Sequence, residues 1–286
     1  MLKFKRSERL IDMTHYLLER PHQLVPLTFF AERYQSAKSS ISEDLVIIKE
    51  TFEQRGVGTI QTVPGAAGGV KYMSKVSRSN AKQMISEICS YLESDDRLLP
   101  GGYLFMTDLL GNPQVIRKVG KLLSSAFAEK EIDVVMTVAT KGIPIANAIA
   151  NYLNVPVVIV RRDNKVTEGS TVSINYVSGS SKRIQTMVLS KRSLKEGSKV
   201  LVVDDFMKAG GTVNGMKSLL KEFNAILSGI GVLIESENAN ERLVDDYVSL
   251  IKLSEVNERD QQIKVTEGNY FQSNIPFLDE PIEEDL

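Results

Sequence analysis

Val200-Leu201-Val202-Val203-Asp204-Asp205-Phe206-Met207-Lys208-Ala209-Gly210-Gly211-Thr212 is the stretch whose reading decides the fold. Residues 200–203 are a continuous apolar run, which predicts a fully buried strand, and two carboxylates stand at its C-terminal end. A loop of small residues follows. From Thr212 the spacing of Val213, Met216, Leu219 and Leu220 predicts a helix. This order puts an acidic pair and a glycine loop at the carboxyl edge of an α/β sheet, where such sheets bind ligands. Small residues let backbone N–H groups approach an anion, and a helix N-terminus favours one. Two aspartates repel it. A sugar phosphate meets both demands, with neighbouring ribose hydroxyls donating to the carboxylates and the loop taking the 5′-phosphate. A solvated turn whose aspartates merely cap is the alternative.

The run 204–212 resembles the 5-phosphoribosyl-1-pyrophosphate (PRPP) motif of the type I phosphoribosyltransferases. The resemblance implies that Asp204 and Asp205 hold the ribose. It implies that Phe206, Met207, Lys208, Ala209, Gly210, Gly211 and Thr212 hold the 5′-phosphate.

Outward from this stretch, strands alternate with helices. Helical spacing covers 80–91, 115–127 and 143–153, the last with Pro144 in its first turn. Strands are predicted at 103–106, 133–139, 155–160, 171–176, 185–189 and 226–234. Such alternation implies a mostly parallel, covered sheet. From Tyr103 to about Glu235 the chain resembles adenine- and xanthine-type phosphoribosyltransferases. That resemblance implies that Ala139, Thr140, Lys141 and Gly142 hold pyrophosphate, with Lys141 as the cation. It also implies a mobile covering loop over 162–180, ligand contacts from Tyr103 and Arg161, and Mg²⁺ as a cofactor that bridges PRPP oxygens. Two departures stand out. Lys208-Ala209 replaces the Ala-Thr usual in the adenine-type enzymes, and no residues for purine recognition or leaving-group chemistry can be pointed to.

The 286 residues are 42% hydrophobic and 25% charged, enough for the core of one large or two ordinary domains. A net charge of −1 removes any global electrostatic case for nucleic acid, so that case must be local. Cys89 stands alone, which excludes an intrachain disulfide and a cysteine-rich zinc site. The basic N-terminus lacks a following apolar run, predicting no signal peptide, and no apolar run is long enough for a bilayer. We expect a cytoplasmic protein with no membrane contact and no protein-held metal.

Residues 1–75 carry eleven Lys and Arg against eight Asp and Glu. Leu10, Ile11, Thr14, Leu17 and Leu18 recur at helical spacing behind Ser7, a good N-cap. A second helix is predicted at 27–34. Ile41, Leu45, Ile48 and Phe52 make the buried stripe of a third, which leaves Lys38, Ser39, Ser42 and Glu43 off that face. Strands at 59–63 and 70–73 flank Pro64-Gly65-Ala66-Ala67-Gly68-Gly69. Three helices and a ribbon resemble the winged helix-turn-helix of bacterial repressors, whose third helix enters the major groove. That implies DNA contacts from Ser39, Ser40 and Ser42, and charge to the backbone from Lys3, Lys5, Arg6, Arg9, Lys38 and the wing's Lys71. Serines in place of arginines imply phosphate contacts and shape more than dense base readout. A helical packing module with a solvated basic face is the alternative.

Together the halves resemble the purine operon repressors of Gram-positive bacteria, through Arg6-Ser7, Pro26-Leu27-Thr28-Phe29-Phe30, the 64–70 run and 205–212. The fold class expected is α/β: a winged helix over 1–74, then a type I phosphoribosyltransferase fold over 75–275 that also dimerises. An acidic, disordered tail is expected over 276–286. The resemblance implies a homodimeric, non-enzymatic repressor of purine-synthesis genes, with double-stranded DNA as partner and PRPP as inducer. A guanosine nucleotide bearing pyrophosphates is a further candidate ligand. Two other readings stay open: an active purine phosphoribosyltransferase with an appended regulatory domain, and a DNA-binding protein whose second domain only dimerises.

Overall fold

The computed structural model describes residues 4–93, 97–100, 103–164, 166–177, 183–237, 242–257 and 262–280, with backbone alone at 255–257 and 262. The chain opens with α1 (Arg6–Leu18), α2 (Leu27–Tyr34) and α3 (Lys38–Gln54), followed by β1 (Thr59–Val63) and β2 (Gly69–Met73). Ser7 is not the cap of α1. Lys5 is, and its N–H donates to Glu8 (2.8 Å), so the helix starts a residue before Ser7. Met13, Leu17, Phe30, Tyr34, Ile41, Leu45, Ile48 and Phe52 meet in one core that Ile60, Val70 and Tyr72 close from the ribbon. β1 and β2 pair antiparallel from Thr59↔Met73 to Val63↔Gly69. Val25 and Val70 exchange backbone hydrogen bonds (2.8 and 2.9 Å), which ties the α1–α2 connection to the wing.

The second half begins with α4 (Arg78–Leu92), capped by Ser77, then a small hairpin of β3 (Leu98–Leu99) and β4 (Tyr103–Leu104). The strand predicted to Met106 stops at Leu104, because α5 (Thr107–Gly111) begins just beyond. Then come α6 (Pro113–Ala126), β5 (Val134–Val138), α7 (Gly142–Leu153), β6 (Val157–Val160), β7 (Thr171–Val177) and β8 (Ile184–Ser190). The chain continues through β9 (Lys199–Met207), α8 (Gly211–Glu222), β10 (Ile226–Ser236), β11 (Val248–Asn257) and β12 (Gln262–Glu267). Six strands form one sheet in the order β12-β11-β10-β9-β5-β6, parallel except for β12 at its edge. One face packs on α4, α6 and α7, the other on α8 and the β7–β8 ribbon.

Three further expectations change. The strand at 200–203 runs on to Met207, so both aspartates are strand residues. Within the loop expected over 162–180, residues 171–177 are the strand β7, paired along its length with β8 and packed on α8; residues 165 and 178–180 lie outside the described residues. The first residues of the tail expected from 276 are packed on the second domain. Leu278 N–H donates to the Val76 carbonyl (2.9 Å), Glu280 accepts from Ser79, and Arg78 stands 5.1 Å over the Phe271 ring and 5.6 Å over Phe277. Residues 281–286 lie outside the described residues. No described helix is long and apolar enough to cross a membrane.

Candidate ligand site and nucleic-acid interface

β5 and β9 are parallel neighbours, so the loops that follow them leave the sheet at the same edge. Asp204 is 6% exposed and in register with Val232 of β10; Asp205 beside it is half-buried. Its N–H donates to Asp204 Oδ1 (3.0 Å). Burial, and then the neighbouring Asp205 carboxylate, pushes Asp204 well above the usual carboxylate range. Burial raises Asp205 too, against its hydrogen bond with Asp204 and the positive charge of Lys141 and Arg162. Two desolvated carboxylates are a ready acceptor pair for vicinal hydroxyls.

Beyond Met207 the chain turns through Lys208, Ala209 and Gly210 into α8. Gly210 has φ +84°, the left-handed conformation that glycine adopts without penalty. The Asn214 N–H returns to the Gly210 carbonyl (2.8 Å), which leaves Gly211, Thr212 and Val213 N–H groups as the open first turn. A cavity of about 60 Å³ lies among Asp204 and residues 206–213, room on the order of a phosphate group. Lys208 is exposed and is one of the residues that line this cavity.

Across the edge, the half-buried Ala139 donates its N–H to the Val160 carbonyl (2.9 Å), and Thr140 and Lys141 are exposed ahead of α7. Beneath them the Thr137 hydroxyl is buried with no hydrogen-bond partner among the described residues. Arg161 does not reach the ligand edge freely. Its guanidinium pairs with Glu168 (3.0 Å), and its backbone bridges Val188 of β8. The arginine whose charge acts on both aspartates is the exposed Arg162 next to it, and only packing separates the two. Tyr103, 67% exposed on the β3–β4 hairpin, has no hydrogen bond to either loop among the described residues.

In the first domain, Lys38, Ser39, Ser42 and Glu43 are exposed at the start of α3 and Ser40 is half-buried. Lys38 shares a cleft of about 260 Å³ with Thr28 and the wing residues 62–66, 68 and 69. Helix start and wing tip therefore lie on one side. Thr28, in the first turn of α2, joins this surface; its signals were its place behind a proline N-cap and within the 26–30 run. Lys5 is exposed, and Lys3 lies outside the described residues. Arg6 and Arg9 turn inward instead. Both grip Asp44 (2.9 and 2.5 Å), whose side chain is 1% exposed. Arg9 is itself only 11% exposed, so it serves the fold, while half of Arg6 remains open to solvent. Lys71 faces away from the wing tip. It lines a cavity of about 770 Å³ between the ribbon and the second domain, with His22, Gln61, Glu129 and Asp133.

Comparison with known proteins follows this division. Residues 5–74 match the family model of the bacterial purine repressor N-terminal domain, and residues 106–267 match the phosphoribosyl transferase domain. The chain is 65% identical to the purine biosynthesis transcriptional repressor PurR of Bacillus subtilis, over 96% of this chain and 97% of that one. It is 49% identical to the purine biosynthesis transcriptional activator PurR of Lactococcus lactis subsp. lactis, over 93% and 98%. An adenine phosphoribosyltransferase structure from Thermoanaerobacter pseudethanolicus superposes with TM-score 0.51 at 23% identity, covering 58% of this chain and 98% of that one. At that identity the likeness is one of fold.

Proposed function

Because this chain belongs to the family of bacterial purine biosynthesis transcriptional regulators, we propose that it represses purine-synthesis genes and loses operator affinity on binding PRPP, which it does not turn over. One observation carries the sensing half: a buried acidic pair, an open helix N-terminus and a lysine-bearing second loop share one sheet edge. Ribose, 5′-phosphate and pyrophosphate are the groups these three would take. Mg²⁺ fits this arrangement as a companion of the ligand. Asp204 and Asp205 would hold it together with PRPP oxygens, since Mg²⁺ is usually bound by one or two carboxylates plus phosphates. No cluster of three ligating side chains stands ready among the described residues.

Linkage requires that whatever PRPP does to DNA affinity, DNA does to PRPP affinity by the same factor. The packing offers a route for that coupling. α7 starts at the 139–142 turn and lies against α6, where Gly120 meets the Ala148 backbone so closely that an added Cβ would stand 2.9 Å from its carbonyl carbon. The next residue, the half-buried Lys121, donates its amine to the Gly56 carbonyl just beyond α3. The large interdomain cavity leaves room for the first domain to swing about that contact.

Fluorescence anisotropy on fragments upstream of purine-synthesis genes, with and without PRPP and Mg²⁺ at fixed salt, tests the reading. We expect PRPP to weaken binding by wild type and not by Asp204→Ala. Operator binding indifferent to PRPP would leave a DNA-binding protein without a sensor, and release of pyrophosphate from PRPP with a purine base would make it an enzyme. The activator among its relatives makes the sign of regulation a separate question, decided by a reporter in a deletion strain. Light scattering tests the proposed homodimer. Titrating PRPP against a guanosine nucleotide bearing pyrophosphates tests competition for the site.

A further inference from the structure

After β10 the chain comes back to brace the phosphate loop. Leu243 N–H donates to the Ala209 carbonyl (2.9 Å), and Val244, 2% exposed, lies against Gly210, where an added Cβ would stand 3.0 Å from its Cγ2. This strap, residues 242–247, is fastened at one carboxylate. Glu235, 4% exposed near the end of β10 and in register with Met207, accepts from the Tyr247 hydroxyl (2.6 Å) and the Ser249 hydroxyl (2.6 Å). It also pairs with Arg242 Nη2 (2.6 Å). The Arg242 guanidinium lies 5.4 Å over the Tyr247 ring and donates to the Ser236 carbonyl (2.9 Å). Ser249 Oγ in turn accepts the Asn269 N–H (3.0 Å), which roots the cluster in the chain beyond β12.

A buried carboxylate is costly unless its lone pairs are filled, and here three side chains fill them. All three come from the strap or from the first residues of the strand it feeds. The cluster therefore sets the path of 242–249 across the loop. Anion cradles of backbone N–H groups bind well when their geometry is set before the ligand arrives.

We infer that Glu235 is the positioning residue of the 5′-phosphate loop: by gathering Arg242, Tyr247 and Ser249 it seats Leu243 and Val244 on Ala209 and Gly210 and presets the loop for a phosphate monoester. This rests on the reading of 206–212 as a phosphate cradle. The test is calorimetric titration of the full chain with ribose 5-phosphate and, separately, with inorganic pyrophosphate, in wild type, Glu235→Gln and Tyr247→Phe. The turn at 139–142 belongs to β5 and α7, apart from the strap, so the two ligands report on the two loops. We expect ribose 5-phosphate affinity to fall about tenfold in Glu235→Gln and about threefold in Tyr247→Phe, with pyrophosphate affinity within about twofold of wild type. Equal loss for both ligands, or no loss for ribose 5-phosphate, overturns the positioning role. If wild type binds pyrophosphate and not ribose 5-phosphate, the cradle reading itself fails and takes this inference with it. Tyr247→Phe removes one hydroxyl and keeps the ring, so it serves if Glu235→Gln does not fold.

Discussion

Asp204 and Asp205 bind protons more readily in the folded protein than in the unfolded chain, because burial penalises their charge. The sign of the consequence follows from linkage. Their contribution to stability is full below the ordinary carboxylate range, about pH 4, and is lost as pH rises through the raised folded values. Asp204→Asn is therefore expected to melt a few degrees above wild type at about pH 7.5, with the gap closing near pH 4, about the usual carboxylate value. The same variant should lose PRPP affinity by about tenfold or more, ~1.4 kcal/mol. Calorimetric melts and titrations at the two pH values check both halves; a variant less stable than wild type at the higher pH would contradict the burial argument. Asp44 is a buried carboxylate that two arginines partner. Removing it strands Arg9, and Asp44→Ala should destabilise the first domain by about 3 kcal/mol in urea unfolding.

At the scale of elements, α3 has a division of labour along its length. Its buried stripe holds the domain together, and its first turn, with the wing tip, makes the open surface. Lys38 stands there and Lys71 does not. Lys38→Ala should lower the salt dependence of operator binding by about one unit of slope, the mark of one phosphate no longer neutralised. Lys71→Ala should leave that slope unchanged, since its side chain faces the second domain. Anisotropy titrations at several salt concentrations separate the two. The apolar stripe of α3 was visible in sequence because it repeats every turn. The role of Arg9 was not, because its partner Asp44 lies 35 residues away and nothing local marks a charge that will be buried.

For the whole molecule, the question is how a ligand bound, as proposed, at the edge of β5 and β9 would act on a helix in another domain. The contact of Lys121 with the Gly56 carbonyl joins α6 to the end of α3. Lys121→Met keeps the stem and removes the donor. It is expected to leave PRPP affinity and ligand-free operator affinity within a few-fold of wild type while reducing the coupling between them by about 1 kcal/mol, a size typical of residues between coupled sites. The check is a closed thermodynamic box: operator affinity with and without saturating PRPP, in both proteins. Coupling that survives unchanged would place the route elsewhere.

What the residues alone determined was whatever is local: the apolar periods that make helices and strands, the acidic pair beside a glycine turn, the order of three helices and a ribbon. Each depends on neighbours within about one turn of helix or one strand, so each is written contiguously. Beyond this lay the last two strands of the sheet, β11 and β12, where apolar residues such as Leu250 and Leu253 alternate irregularly with polar ones and no helix pattern follows to announce another α/β unit. Tertiary structure also decided that Arg162 acts on the aspartates while Arg161 pairs with Glu168, that Lys71 looks inward, and that Glu280 is held by Ser79. Most of these deciding partners are distant in the chain, and even where one is near, as with Glu168, the turn that delivers it is set by packing. Electrostatic and packing energies depend on distance in space, and only the folded sheet brings those groups within range.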